Sequence, residues 1–88
     1  MTSNGKAPTA QGVAAALNRG GLITTPRDRE GVHVTGRAPV RVTVDVDSTR
    51  LAVELAAAAE TILVRAGYTT TRHEHADDPA LIGLDVTR

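Results

Sequence analysis

The 88-residue chain has no cysteine, no tryptophan and no phenylalanine, and Tyr68 is its one tyrosine. Each absence narrows the chemistry. Without cysteine there is no disulfide, no thiol nucleophile and no cysteine-ligated zinc. Without a set of aromatics there is no stacking platform for bases. The core must then come from Val, Leu, Ile and Ala, which bury less area per residue. No apolar run approaches the ~18 residues that a spanning helix needs. The opening MTSNGKAPT lacks the apolar centre of a secretory signal, so a cytoplasmic location is expected. Net charge is absent too, with ten basic and ten acidic residues.

What is present is a chain of single-domain size. Residues 1–8 are polar and aperiodic and read as a flexible tail, leaving 9–88 as the domain. A core this thin gives a motive for self-association, because a partner buries one more face. The charge is unevenly spread. Residues 1–44 sum to +4 and residues 45–88 to −4. A compact domain mixes its halves in space, so this asymmetry does not by itself make a basic face.

The local pattern alternates between helix and strand. Thr9 is placed to cap a helix over about 10–19, with Val13, Ala14 and Leu17 as its apolar stripe and Gly20-Gly21 as its exit. LITTP (22–26) reads as a short strand on a sheet edge or in a loop, since Pro26 has no N–H to donate. GVHVTG (31–36) alternates, Val32 and Val34 on one side, His33 and Thr35 on the other. VRVTVDVD (40–47) alternates most strictly, with Val40, Val42, Val44 and Val46 facing in. These two form an antiparallel hairpin. Asp47 or Ser48 caps a second helix, about 49–66. Its buried face is read as Leu51, Leu55, Ala58, Ala59, Ile62, Leu63 and Ala66. Gly67 ends it, a strand runs from Tyr68 to about His75, Asp78-Pro79 makes a turn, and 81–87 is the last strand.

A repeat is visible at the helix exits. LNRGGLITTPRDRE (17–30) lies over LVRAGYTTTRHEHA (63–76) without a gap. Leu17/Leu63, Arg19/Arg65, Gly21/Gly67, Thr24/Thr70 and Thr25/Thr71 match. The second strands also agree in type, VHVTGR against GLDVTR. An αββ unit used twice, with strand 40–46 between the copies, accounts for this. The expected fold is α+β: two helices on one face of a four- or five-stranded, mostly antiparallel sheet, in the order α-(β)-β-β-α-β-β. Its core is expected to be Val13, Leu17, Val32, Val34, Val40, Val42, Val44, Leu51, Leu55, Ile62, Tyr68, Ile82, Leu84 and Val86.

Nine of the ten basic residues are Arg, in a chain rich in Ala, Gly, Val and Thr. In composition and in its helix–Gly–strand phrasing the chain resembles small proteins encoded by actinobacteria, their phages and plasmids. The resemblance brings no functional motif with it.

Few residues carry recognisable chemistry. His73 and His75 flank Glu74, and in a strand they share a face. With His33 and a carboxylate from Asp77 or Asp78 they make a candidate ligand set. The repeat aligns them with Arg27-Asp28-Arg29, which favours contacts on a charged surface turn, and neither metal nor cofactor is expected. Asp45 and Asp47 share a strand face but lack the pocket that acid–base catalysis requires. There is no phosphate-cradling Gly loop. The chain therefore reads as non-enzymatic. Arg19, Arg27, Arg29, Arg37 and Arg41 lie within 23 residues and suit phosphate or partner contact. Asp28 and Glu30 interrupt them. The expected function is a small binding or adaptor module acting through protein–protein interaction and self-association. DNA or RNA binding by the 19–41 arginines is the alternative. Neither a membrane nor a small-molecule substrate is indicated.

Overall fold

A computed structural model describes residues 8–25, 30–36, 39–75 and 78–87. The elements are α1 (Ala10–Arg19), β1 (Gly31–Gly36), β2 (Val40–Asp45), α2 (Thr49–Arg65), β3 (Thr69–His75) and β4 (Asp78–Thr87). The four strands form one antiparallel sheet in the order β1-β2-β4-β3. Both helices pack on one face of it, so the α+β architecture agrees with the sequence reading.

Both helices begin at a hydroxyl cap. Thr9 Oγ1 accepts from Gly12 N at 3.0 Å, and Ser48 Oγ accepts from Leu51 N at 3.3 Å. Both end alike. Leu22 N donates to Leu17 O at 2.9 Å, and Tyr68 N donates to Leu63 O at 3.0 Å. Gly21 and Gly67 each sit at φ 94°, the left-handed conformation such an exit requires. The matched residues 17–21 and 63–67 thus make matching hydrogen bonds. Beyond them the copies diverge. Tyr68 leads straight into β3, while residues 22–25 form no strand. Of the two placements expected for 22–26, sheet edge or loop, residues 22–25 take the loop; Pro26 lies outside the described residues. The chain orders itself as two α-β-β units, α1-β1-β2 and α2-β3-β4. β2 is thus the second strand of the first unit, not a piece between copies.

The inner face of the sheet supplies most of the core. Val32, Val40, Val42, Val44, Ile82, Leu84 and Val86 are buried, with Val13, Ala16 and Leu17 from α1 above them. The sheet-facing stripe of α2 is Ala52, Ala56, Ala59 and Leu63; Ala59 and Leu63 stand there as expected, while Ala52 and Ala56 take the place of Leu51, Ala58 and Ala66, which are exposed. Leu55, Ile62 and Tyr68 are partly buried at its margin, as is Val34 on β1. Leu51 is 42% exposed. Three alanines bring the helix axis close to β4, and a larger stripe would hold it off. The helices meet closely at Gly20, where a Cβ would lie 2.6 Å from Ile62 Cγ1. β4 starts at Asp78, so the expected Asp78-Pro79 turn is instead the first part of that strand. A register shift between Glu74 and His75 lets His75 pair with Asp78.

Candidate functional site

The helices leave one face of the sheet uncovered, and side-chain alternation decides what it shows. Cross-strand partners share a face. Two rows cross the open side from β1 to β3: Thr35, Arg41, Asp85, Thr71, and then His33, Thr43, Gly83, His73. Every member of these two rows is polar or glycine, and Leu81, across from Asp45, adds one apolar side chain to the same face. Val32, Val40, Val42, Val44, Ile82, Leu84 and Val86 point the other way.

Asp85 organises the first part of this surface. Arg41 Nε donates to Asp85 Oδ1 at 2.8 Å, and His73 Nε2 donates to Asp85 Oδ2 at 2.8 Å. Arg41 sits directly across from Asp85, and His73 reaches it diagonally. The bond to Arg41 holds the Asp85 carboxyl below its ordinary value of 3.8, although partial burial opposes the shift. The same bond pushes the Arg41 guanidinium up. Asp85 is therefore a committed anion at neutral pH. Both its oxygens are occupied, so it serves as an orienter and not as a proton donor. Beside it, Arg41, Thr43, His73 and Gly83 line a depression of about 280 Å³.

A carboxylate that orients an imidazole is two parts of a nucleophile–base–orienter chain. The third part is missing: no hydroxyl hydrogen-bonds the His73 ring among the described residues. This arrangement can bind; it lacks the geometry for acyl transfer.

A second depression, about 210 Å³, adjoins the first and is lined by His33, Thr35, Thr43 and Asp45. His33 is 6% exposed, although alternation places it on the open face. The loop after α1 explains this. Thr25 N donates to Val32 O at 2.8 Å, laying residues 22–25 along the outer edge of β1. His33 Nδ1 then donates to Thr25 O at 3.1 Å.

The sequence-predicted residues are dispersed. Arg41 lies on the open face, engaged by Asp85. Arg19 lies in the helix layer, in a groove with Arg65 between the C-terminal ends of α1 and α2. The sheet separates the two. Arg27, Arg29 and Arg37 lie outside the described residues, as does Asp77. His73 and His75 belong to β3 itself, so the surface-turn placement is corrected to a strand. His33 and His73 stand at opposite ends of one row, with Thr43 and Gly83 between them. Among the described residues no group of three His, Cys, Asp or Glu side chains is placed to hold a metal ion. Asp85 escaped notice in the sequence because its partners lie 44 and 12 residues away.

The two sheet edges differ. β1 is bonded by Thr25, whereas no backbone group pairs with the outer edge of β3 among the described residues. The inner positions of β3 are polar, Thr70 and Arg72, and Arg72 pairs with Glu60 of α2. On α2, Val53 and Val64 are 41% and 58% exposed. Ala57 and Val64 line a groove with Thr70 of β3. No helix among the described residues is long and apolar enough to cross a membrane.

No family model, no curated protein and no solved structure matches this chain.

Proposed function

We propose that the protein is a non-enzymatic binding module that self-associates through the outer edge of β3, extending its sheet with the β3 of a second copy. The observation that carries this reading is the contrast between the two edges. β1 is sealed by its own chain at Thr25, in a segment that exposes Ile23, whereas β3 is open among the described residues beside the exposed Val64. An unpaired strand edge is a template for strand addition.

The residues of β3 suit pairing with a copy of themselves. With the two-fold axis at Thr71, Thr70 stands opposite the partner's Arg72 and Thr69 opposite the partner's His73. No like charges then oppose each other, which would otherwise disfavour the pair. Ala57 and Val64 of both copies flank the joined edge and lose exposed apolar area, the favourable term in such an association.

Light scattering across a concentration series tests this reading. The wild type is expected to reach dimer mass, and Val64→Lys to remain a monomer with an unchanged unfolding midpoint, since Val64 is exposed. A wild type that stays monomeric to about 1 mM, where ~4 kcal/mol of association becomes visible, would end the proposal. Binding of duplex or single-stranded nucleic acid at low salt, weakened by Arg19→Ala, would favour the arginine-based alternative instead.

A further inference from the structure

We infer that the depression between β1 and β2 is a binding site for a guanidinium or ammonium group, with His33 Nε2 and Asp45 as its acceptors. It lies at the other side of the sheet from β3 and is independent of self-association.

The hydrogen bond to Thr25 O fixes the tautomer of His33. Thr25 O is a carbonyl and can only accept, so Nδ1 carries the proton. A neutral imidazole then has a bare lone pair on Nε2. That nitrogen is buried and has no hydrogen-bond partner among the described residues. A buried acceptor left unsatisfied is costly, and native structures rarely keep one without a reason. What it lacks is a donor.

The other residues of the depression call for the same kind of guest. Asp45 is an ionised carboxylate that only accepts. Its neighbour across the hairpin is Gly31, which offers no side chain, and its neighbour on β4 is Leu81. Among the described residues Asp45 has no ion-pair partner, unlike Asp85. Thr35 and Thr43 add two hydroxyls, each on a half-buried side chain. Because Nε2 is buried, the proposed site must open by side-chain rotation to admit a guest. Among the described residues the site therefore holds two obligate acceptors, one of them charged, and no obligate donor. Guanidinium and ammonium groups are all donor and carry positive charge, so they complement it. A phosphate or carboxylate would face two acceptors and a negative charge. The volume of about 210 Å³ suits one such head group and little more. The neighbouring cation, Arg41, is already held by Asp85 and does not fill the role.

Amide and imidazole NMR on the full chain tests this. Methylguanidinium and a blocked Gly-Arg-Gly peptide are titrated separately, with phosphate as the anionic control. Both cations are expected to shift His33, Thr35, Thr43 and Asp45 selectively, and phosphate is expected not to. Binding of the small cation without the peptide assigns the site to a free metabolite-sized cation; binding of both assigns it to a side chain of a partner. Asp45→Asn should weaken binding about tenfold or more, the usual effect of losing a hydrogen bond to a charged group. His33→Asn keeps a donor for Thr25 O and removes only Nε2, so it should fold and weaken binding similarly. The imidazole spectrum should show the proton on Nδ1. A proton on Nε2, shifts scattered over the surface, equal binding by Asp45→Asn, or stronger effects from zinc at the same residues would overturn the inference.

Discussion

Gly20 and Gly21 stand side by side at the end of α1, and alanine disrupts them for different reasons. At Gly21 a Cβ meets nothing within 4 Å, but φ is 94°. Gly21→Ala therefore carries a backbone penalty of about 1 kcal/mol. Gly20 has an ordinary backbone, with φ −80°. Its Cβ would strike three carbons of Ile62 at 2.6 to 2.8 Å. Overpacking of this kind costs about 1–3 kcal/mol. Chemical denaturation should rank Gly20→Ala as the worse variant, and Gly67→Ala should resemble Gly21→Ala. The glycines of both exits are legible in the sequence, because a helix exit is a local event. Asp85 makes a second residue-scale prediction. Its carboxyl is lowered by Arg41, so ionised Asp85 contributes stability that is present above the ordinary value of 3.8 and is lost as pH falls through the depressed one. Urea unfolding of the wild type and Asp85→Asn should differ at neutral pH, where the carboxylate is ionised. The difference should shrink below pH 3.8. Such a pair is invisible to sequence, since nothing local joins residue 41 to residue 85. His33 is a similar case. Alternation assigns its face correctly, but its burial depends on Thr25 folding over the edge of β1.

At the scale of the element, β1, β2 and both helices are legible because period and caps are local signals. The orientation of α2 is legible only in part. Sequence periodicity places Ala59 and Leu63 correctly but adds Leu51, Leu55 and Ile62, whereas the structure buries Ala52 and Ala56 beside that pair. The deciding factor is the space between helix and sheet, a tertiary quantity. Substitutions can test the orientation. Leu63→Ala removes a fully buried side chain and should cost about 2–5 kcal/mol. Leu51→Ala, at 42% exposure, should cost clearly less. Ala56→Val should destabilise by about 1–3 kcal/mol through overpacking, although valine is the more hydrophobic residue. If Leu51→Ala proved the most damaging of the three in thermal melts, the helix would have to be turned about its axis. Residues 22–25 form a loop and not a strand for a related reason. Their threonines are good strand formers, yet Thr25 spends its N–H on Val32 O and its carbonyl on His33. One residue acts as a seal on the edge, and no new strand pairing is built.

The whole molecule combines these features into a layer with one helical side, one polar side and two unequal edges. β3 contributes least to its own anchoring. Its inner side chains are Thr70 and Arg72, so its tie to α2 is the ion pair with Glu60 and not apolar burial. In an antiparallel edge strand, alternate amides point at the neighbouring strand and the rest point outward. Hydrogen exchange can therefore separate the two populations within β3. In dilute solution the outward amides of β3 should exchange quickly, and those bonded to β4 slowly. As concentration rises through the dimer equilibrium, the outward set should become protected while β2 and β4 in the centre of the sheet stay unchanged. Val64→Lys should remove that concentration dependence without altering the central strands, because it disturbs only the exposed flank of α2. The edge of β1 serves as the internal control. With Val32 O already taken by Thr25, its exchange should not depend on concentration. Protection that rises at β1 and not at β3 would place the association on the other edge. That result would require the Thr25 seal to open, and His33 to lose the bond that sets its tautomer.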